Sequence, residues 1–199
     1  MARLQFPEGF ELGAAASATQ SEGVQSGNTW RDWHARGKIR DGSDPCTIVD
    51  HAACYRQDAQ LMHDMGIRHY RMGVEWARIQ PREDFFDEAA LRAYQDEIVY
   101  LKGLGIRPLV TLHHFTNPMW FEAQGGFENP ACVSVFCRYV EHVVRAFGAM
   151  VEEYITINEP NVYALNGYLT GDWPPGRRSL AKTLRVLNHL CACHIAAYE

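Results

Sequence analysis

Four short apolar runs of strand type alternate with stretches of helical period, and that alternation limits the fold more than anything else in the chain. The runs are "FELGAAAS" (10–17), "IRHYRMGV" (67–74), "IRPLVTLHH" (106–114) and "EYITIN" (153–158). After the first, Tyr55, Ala59, Met62 and Met65 recur at three and four between a cap at Asp50 and a stop at Gly66. A second helix is expected from Asp87 to Leu104 with Gly105 beyond it. A third runs over 130–147 before Gly148, and a fourth from Ser179 to the last residue. Strands joined through helices pair in parallel, because a parallel return needs a crossover.

Two architectures begin this way, the doubly wound sheet and the (β/α)8 barrel. A nucleotide-binding sheet would open on G-x-G-x-x-G after its first strand, where this chain has "GAAASATQSEG". Each run instead delivers chemically capable groups at its carboxyl end: Gln20 and Glu22, then Arg71, Glu75 and Trp76, then His113 and His114, then Asn158 and Glu159. A barrel collects catalytic residues on that rim. The expected class is therefore α/β, a (β/α)8 TIM barrel. Eight strands typically take about 250 residues, so 199 residues with four units supply about the first four β-α units, one half of a single domain spanning 1–199.

A formal charge of -5 without a basic block argues against nucleic acid or an anionic membrane as partner, and favours a small neutral one. Gln5, Pro7 and Glu8 interrupt the apolar run an export signal needs, and no stretch reaches the length of a membrane span. The six cysteines (Cys46, Cys54, Cys132, Cys137, Cys191, Cys193) form no C-x-x-C pair and read as reduced thiols of a cytoplasmic protein. "CACH" at 191–194 is discounted as a metal site, since adjacent helical positions point to different faces.

"YITINEPN" (154–161) ends a strand on an amide and a carboxyl. Pro160 fixes the backbone behind Glu159. Asn158 can hold a hydroxyl, His114 and Gln20 add neutral hydrogen-bonding groups, and Trp76, Phe115 and Trp120 offer flat faces. The long segment 27–45, with Trp30 and Trp33, is expected as a loop that serves either as a binding wall or as a surface loop without ligand. Amides, aromatic faces and a carboxylic acid together suit a carbohydrate. Glycoside hydrolysis needs a proton donor and a second carboxyl, and only one of the two is visible.

With those residues in place, "FPEGFELGAAASATQSEG", "YRMGVEWARIQP", "PLVTLHHFTNPMW" and "YITINEPNVYALNGYLTGDWPPG" resemble, in order, the N-terminal half of glycoside hydrolase family 1, the retaining β-glycosidases. The resemblance spans nearly the whole chain. It implies that Glu159 is the general acid/base, that Asn158 binds the sugar 2-hydroxyl, that Gln20 and His114 grip other hydroxyls, and that Arg71 keeps the nucleophile ionised. It also implies β-glucosidase-like hydrolysis and no metal or organic cofactor. The family often has Tyr-His-Trp-Asp where this chain has His113, His114, Phe115 and Thr116, so of these only His114 carries over. No acid matches the nucleophile; Glu22 and Glu75 do not correspond to it.

The bland alternatives are an ion pair of Arg71 with Glu75, and packing or solvent exposure for His113. Three readings stand: the N-terminal half of a family 1 glycosidase; a noncatalytic half-barrel that binds sugar, self-associates or assembles with a complementary chain; and an unrelated α/β enzyme that uses Glu159 otherwise.

Overall fold

The computed structural model describes residues 6–23, 27–45, 47 and 49–199. Gln5 and Cys46 fall outside them. Four strands, β1 (Leu12–Ala15), β2 (Ile67–Gly73), β3 (Arg107–Thr111) and β4 (Glu153–Ile155), lie side by side in sequence order. Every pairing is parallel, with Ala15 opposite Arg71, Arg71 opposite Leu109, and Leu109 opposite Glu153.

The helices are α1 (Ala18–Ser21), α2 (Thr29–Ala35), α3 (His51–Asp64), α4 (Trp76–Ile79), α5 (Glu88–Gly103), α6 (Met119–Ala123), α7 (Cys132–Phe147), α8 (Pro160–Ala164) and α9 (Leu180–Tyr198). Four of them, α3, α5, α7 and α9, are the crossover-type helices expected from the periodicity. The expectation of a loop over 27–45 is corrected: Asn28 accepts a hydrogen bond from the Arg31 N–H and starts α2 inside it. The short helices α1 and α4 are single turns set just after β1 and β2, α8 follows β4 and runs on into a π-helical stretch over Leu165–Thr170, and α6 comes only after the irregular segment 112–118.

Side-chain alternation puts the core on one face of the sheet. Tyr70, Met72 and Val110 are buried with Ile98, Leu101, Phe136 and Tyr139 from the covering helices. On α7, Val135, Phe136, Tyr139, Val140, Val143 and Phe147 recur at three and four and are all buried, which accounts for that helix. Asp87 caps α5 by accepting from the N–H groups of Ala89 and Ala90. The other face of the sheet is partly open at His69, Arg71 and Leu109.

The strands stop short of their apolar runs because the last residues of each run turn out of the ladder to form the rim. Gly73 makes room for this: a Cβ there would lie 2.8 Å from the backbone nitrogen of Ala18, so only glycine lets the turn that carries Gln20 cross so close.

Candidate active site

The carboxyl ends of the strands are first held together by a buried acid that takes no part in any opening. Glu75, buried at the start of α4, accepts from Thr19 Oγ1 at 2.6 Å, Thr116 Oγ1 at 3.0 Å and the Ala77 N–H at 3.2 Å. Its own N–H donates to the Tyr94 hydroxyl. Burial raises its carboxyl above the ordinary range against those hydrogen bonds. Residues following β1, β2 and β3 are thereby locked to one another. Glu22 is occupied in the same way: it accepts from Tyr94 at 2.6 Å and Arg78 at 3.2 Å, and burial pushes it up to about 7 despite the Arg78 charge. Neither acid is offered to a ligand.

Arg71 does not pair with Glu75. Its Nη1 donates to Asn158 Oδ1 at 3.1 Å, tying the end of β2 to the turn after β4, while its Nε is buried without a partner among the described residues. The Asn158 amide nitrogen in turn donates to His114 Nε2 at 3.2 Å. That bond requires an unprotonated Nε2, in keeping with His114 being lowered to about 4 by burial and the Arg71 charge. The Asn158 backbone N–H donates to the His113 carbonyl, which fixes the amide in register with the third strand end.

His114 and Gln20 meet in one cavity of about 220 Å3, walled by Trp30, Ile39, Pro45, Phe115 and Trp173. Gln20 accepts from the Ser17 hydroxyl at 2.5 Å and is otherwise open to solvent. Glu159 stands beside Asn158, exposed, in the left-handed region at φ 43°. Phe115, the residue after His114, sits there too, at φ 68°. For residues other than glycine that conformation is strained, and at both strand ends it turns the chain outward onto the rim.

The structure thus gathers Arg71, Asn158 and His114 in one hydrogen-bonded chain, Glu159 adjoining it and Gln20 across the cavity. His113 is the packing residue: it is buried, bonded to Asn117 at 2.9 Å and surrounded by Phe127, Phe136 and Tyr163. Two of the three aromatic faces expected at the site are corrected. Trp76 is core, stacked on Tyr139 with its Nε1 donating to Gln80, and Trp120 packs edge-on against it and donates to the Gln80 carbonyl. Only Phe115 lines the cavity, and its partners are Trp173 at 5.0 Å and, beyond it, Trp30 at 5.6 Å. Sequence reasoning misses Trp173 because it lies 14 residues past Glu159 in an irregular segment; its position in "GDWPPG", a run of turn formers, is the available signal. Among the described residues no three His, Cys, Asp or Glu are grouped to hold a metal, and no helix is long and apolar enough to cross a membrane.

A family model described as glycosyl hydrolase family 1 matches residues 2–199. Beta-glucosidase 17 of Arabidopsis thaliana is 38% identical over 188 residues, which cover 89% of this chain and 36% of its own length. Coniferin beta-glucosidase of Pinus contorta is 33% identical over 219 residues, covering 99% and 43%. Among solved structures, the beta-glycosidase from Pyrococcus horikoshii superposes with a TM-score of 0.89 at 39% identity, over 98% of this chain and 45% of that one. The beta-glucosidase from Thermotoga maritima in complex with deoxynojirimycin does so with a TM-score of 0.92 at 30% identity, over 97% and 46%. The chain spans less than half the length of each of these relatives.

Proposed function

The chain belongs to glycosyl hydrolase family 1, and we propose from that membership that residues 1–199 form the N-terminal, acid/base half of a single β-glycosidase barrel, acting on β-glucosides or related β-glycosides with retention. Glu159 gives its proton to the departing glycosidic oxygen and later takes one from the incoming water. Asn158 holds the sugar hydroxyl next to the reacting carbon, and His114 and Gln20 hold the hydroxyls further along the ring. Such a reaction needs a second carboxyl roughly 5 to 5.5 Å from the first. No strand end of this chain offers it, so in this reading it comes from a complementary (β/α)4 half.

The observation that carries the reading is Arg71. A half-buried guanidinium is commonly matched with a carboxylate. Here one nitrogen holds a neutral amide and another has no partner among the described residues. In this reading the other half brings a carboxylate to Arg71, whose charge would keep it ionised. The sugar mimics in two Thermotoga maritima beta-glucosidase structures, deoxynojirimycin and castanospermine, support a hexose-sized ligand. Five free thiols among the described residues support a cytoplasmic setting.

The test is turnover of an aryl β-glucoside by this chain alone and by the chain completed with the second barrel half of a relative. Hydrolysis is expected only in the completed barrel and is lost on removing the Glu159 carboxyl. Turnover by the completed barrel that ignores Glu159 would overturn the assignment.

A second reading, a noncatalytic half-barrel that binds sugar or assembles with another chain, rests on a different feature. An apolar groove of about 590 Å3 runs between β4 and α9, lined by Tyr154, Ile155, Ile157, Leu190, Ile195 and Tyr198. It lies along the unpaired edge of the sheet, where an added strand and helix would fit.

A further inference from the structure

Helices α7 and α9 stand before and after β4 in the chain and pack against each other in space. At their contact, Cys132 in the first turn of α7 and Cys193 near the end of α9 place their sulfurs 4.0 Å apart, with the Cys193 thiol donating to the Cys132 sulfur. Both thiols are sealed from solvent, and both are free. The first turn of a long helix presents unsatisfied N–H groups, and the donated S–H adds to them, so the charge of a thiolate is favoured on Cys132 rather than on Cys193. The directions of the two thiols agree: Cys132 is lowered, its bond from Cys193 being the largest cause, and Cys193 is raised.

We propose that Cys132 and Cys193 are a latent redox cross-link, closed by a small peroxide into a disulfide that ties α7 to α9. The Cys132 thiolate attacks one peroxide oxygen. The O–O bond breaks, leaving a sulfenic acid on Cys132, and the departing hydroxide takes up the Cys132 proton as water. The Cys193 sulfur then displaces the sulfenic hydroxyl, which leaves as a second water with the Cys193 proton. Two thiols lose two electrons and the peroxide is reduced to two waters. Bringing the sulfurs from 4.0 Å to the bonding distance of about 2 Å needs rotamer adjustment and a small helix shift. The closed loop contains β4, Asn158 and Glu159, so the link would fasten the segment that carries the proposed acid. It does not depend on the glycosidase reading.

The full chain is treated with hydrogen peroxide or with dithiothreitol, denatured, alkylated and digested for peptide mass spectrometry, with thermal unfolding measured in parallel. A linked peptide pair joining Cys132 to Cys193, two hydrogens lighter than the reduced pair, is expected. Tm should rise by roughly 5–15 °C on oxidation, fall back with dithiothreitol, and keep that rise in Cys191→Ser. Full alkylation of Cys132 and Cys193 under peroxide that oxidises the exposed Cys191, or a link between any other cysteines, overturns the proposal without recourse to a variant.

Discussion

The guanidinium of Arg71 holds the side-chain oxygen of Asn158 at 3.1 Å, and its Nε has no partner among the described residues. The bond spans 87 positions in sequence and closes β2 onto the turn after β4, across β3. It makes the rim a continuous polar surface before any ligand arrives.

Because no ion pair is lost, Arg71→Met should change the stability of this chain by no more than about 1 kcal/mol, the worth of one hydrogen bond offset by removal of an unpaired, half-buried charge. Urea unfolding of the two proteins checks this. A loss of about 3 kcal/mol or more would mean that the charge is already compensated.

In a barrel completed with its second half, Glu159→Gln should slow hydrolysis of alkyl β-glucosides by about 10²–10⁴-fold, the range for general acid–base catalysis. Dinitrophenyl glucosides, whose leaving group departs without a proton, should form the glycosyl-enzyme at near wild-type rate. Single-turnover kinetics on both substrates separates the two. Equal losses on both would point to a folding defect instead.

The strand order and the four long helices were legible because both depend on periodicity. Asn158 and Glu159 were legible too, since an amide, an acid and a proline in succession break a β-branched run more sharply than strand termination requires. Gln20, His114 and Arg71 were legible as polar groups at strand ends, and their separate roles only through family resemblance. The aromatic wall was not. Trp76 follows β2 much as Phe115 follows β3, and Trp120 comes a little later, yet α4 folds Trp76 fully into the core and α6 packs Trp120 partly against it, and no local pattern reports that. The wall comes from Trp30 and Trp173, over 140 positions apart, brought together by tertiary packing alone.

Glu75 should matter more to stability than any residue on the open rim. Glu75→Ala leaves the Thr19 and Thr116 hydroxyls and the Ala77 N–H without their acceptor in a buried place, at about 3 kcal/mol or more. Glu75→Gln, which keeps one acceptor oxygen, should cost about half as much. Equilibrium unfolding of both variants ranks them, and an Ala variant as stable as the parent would remove the locking role.

His51 gives the fold a pH dependence of definite sign. Burial opposes its charge, but Nδ1 donates to Asp58 at 2.6 Å and Nε2 to Glu97 at 2.9 Å, and together these push it up to about 9. A histidine raised above its ordinary 6.5 stabilises the fold fully below about pH 6.5, and the contribution is lost as pH rises through about 9. About 2 kcal/mol is at stake. Tm should therefore fall between pH 6.5 and 9.5 in the parent and stay flatter, from a lower start, in His51→Gln.

The outward face of α9 decides how the chain behaves on its own. One line of that helix, Thr183, Val186, Leu190 and Cys193, is buried, as an amphipathic helix requires. A second line, Leu180, Leu184, Ile195 and Tyr198, is just as apolar yet open, with Tyr198 84% exposed. On the opposite flank α3 and the turn after it expose Leu61 and Met65, and β1 exposes Leu12 beside its own unpaired edge. Contiguous open apolar surface next to free strand edges is ordinarily covered. The isolated chain should therefore self-associate at micromolar concentration, and Leu184→Lys combined with Ile195→Lys should shift it toward monomer without lowering Tm, because neither side chain is in the core. Sedimentation velocity reads both effects. A single monomeric boundary for the parent chain would mean that the α9 face tolerates water, and would count against any reading in which this surface meets another barrel half.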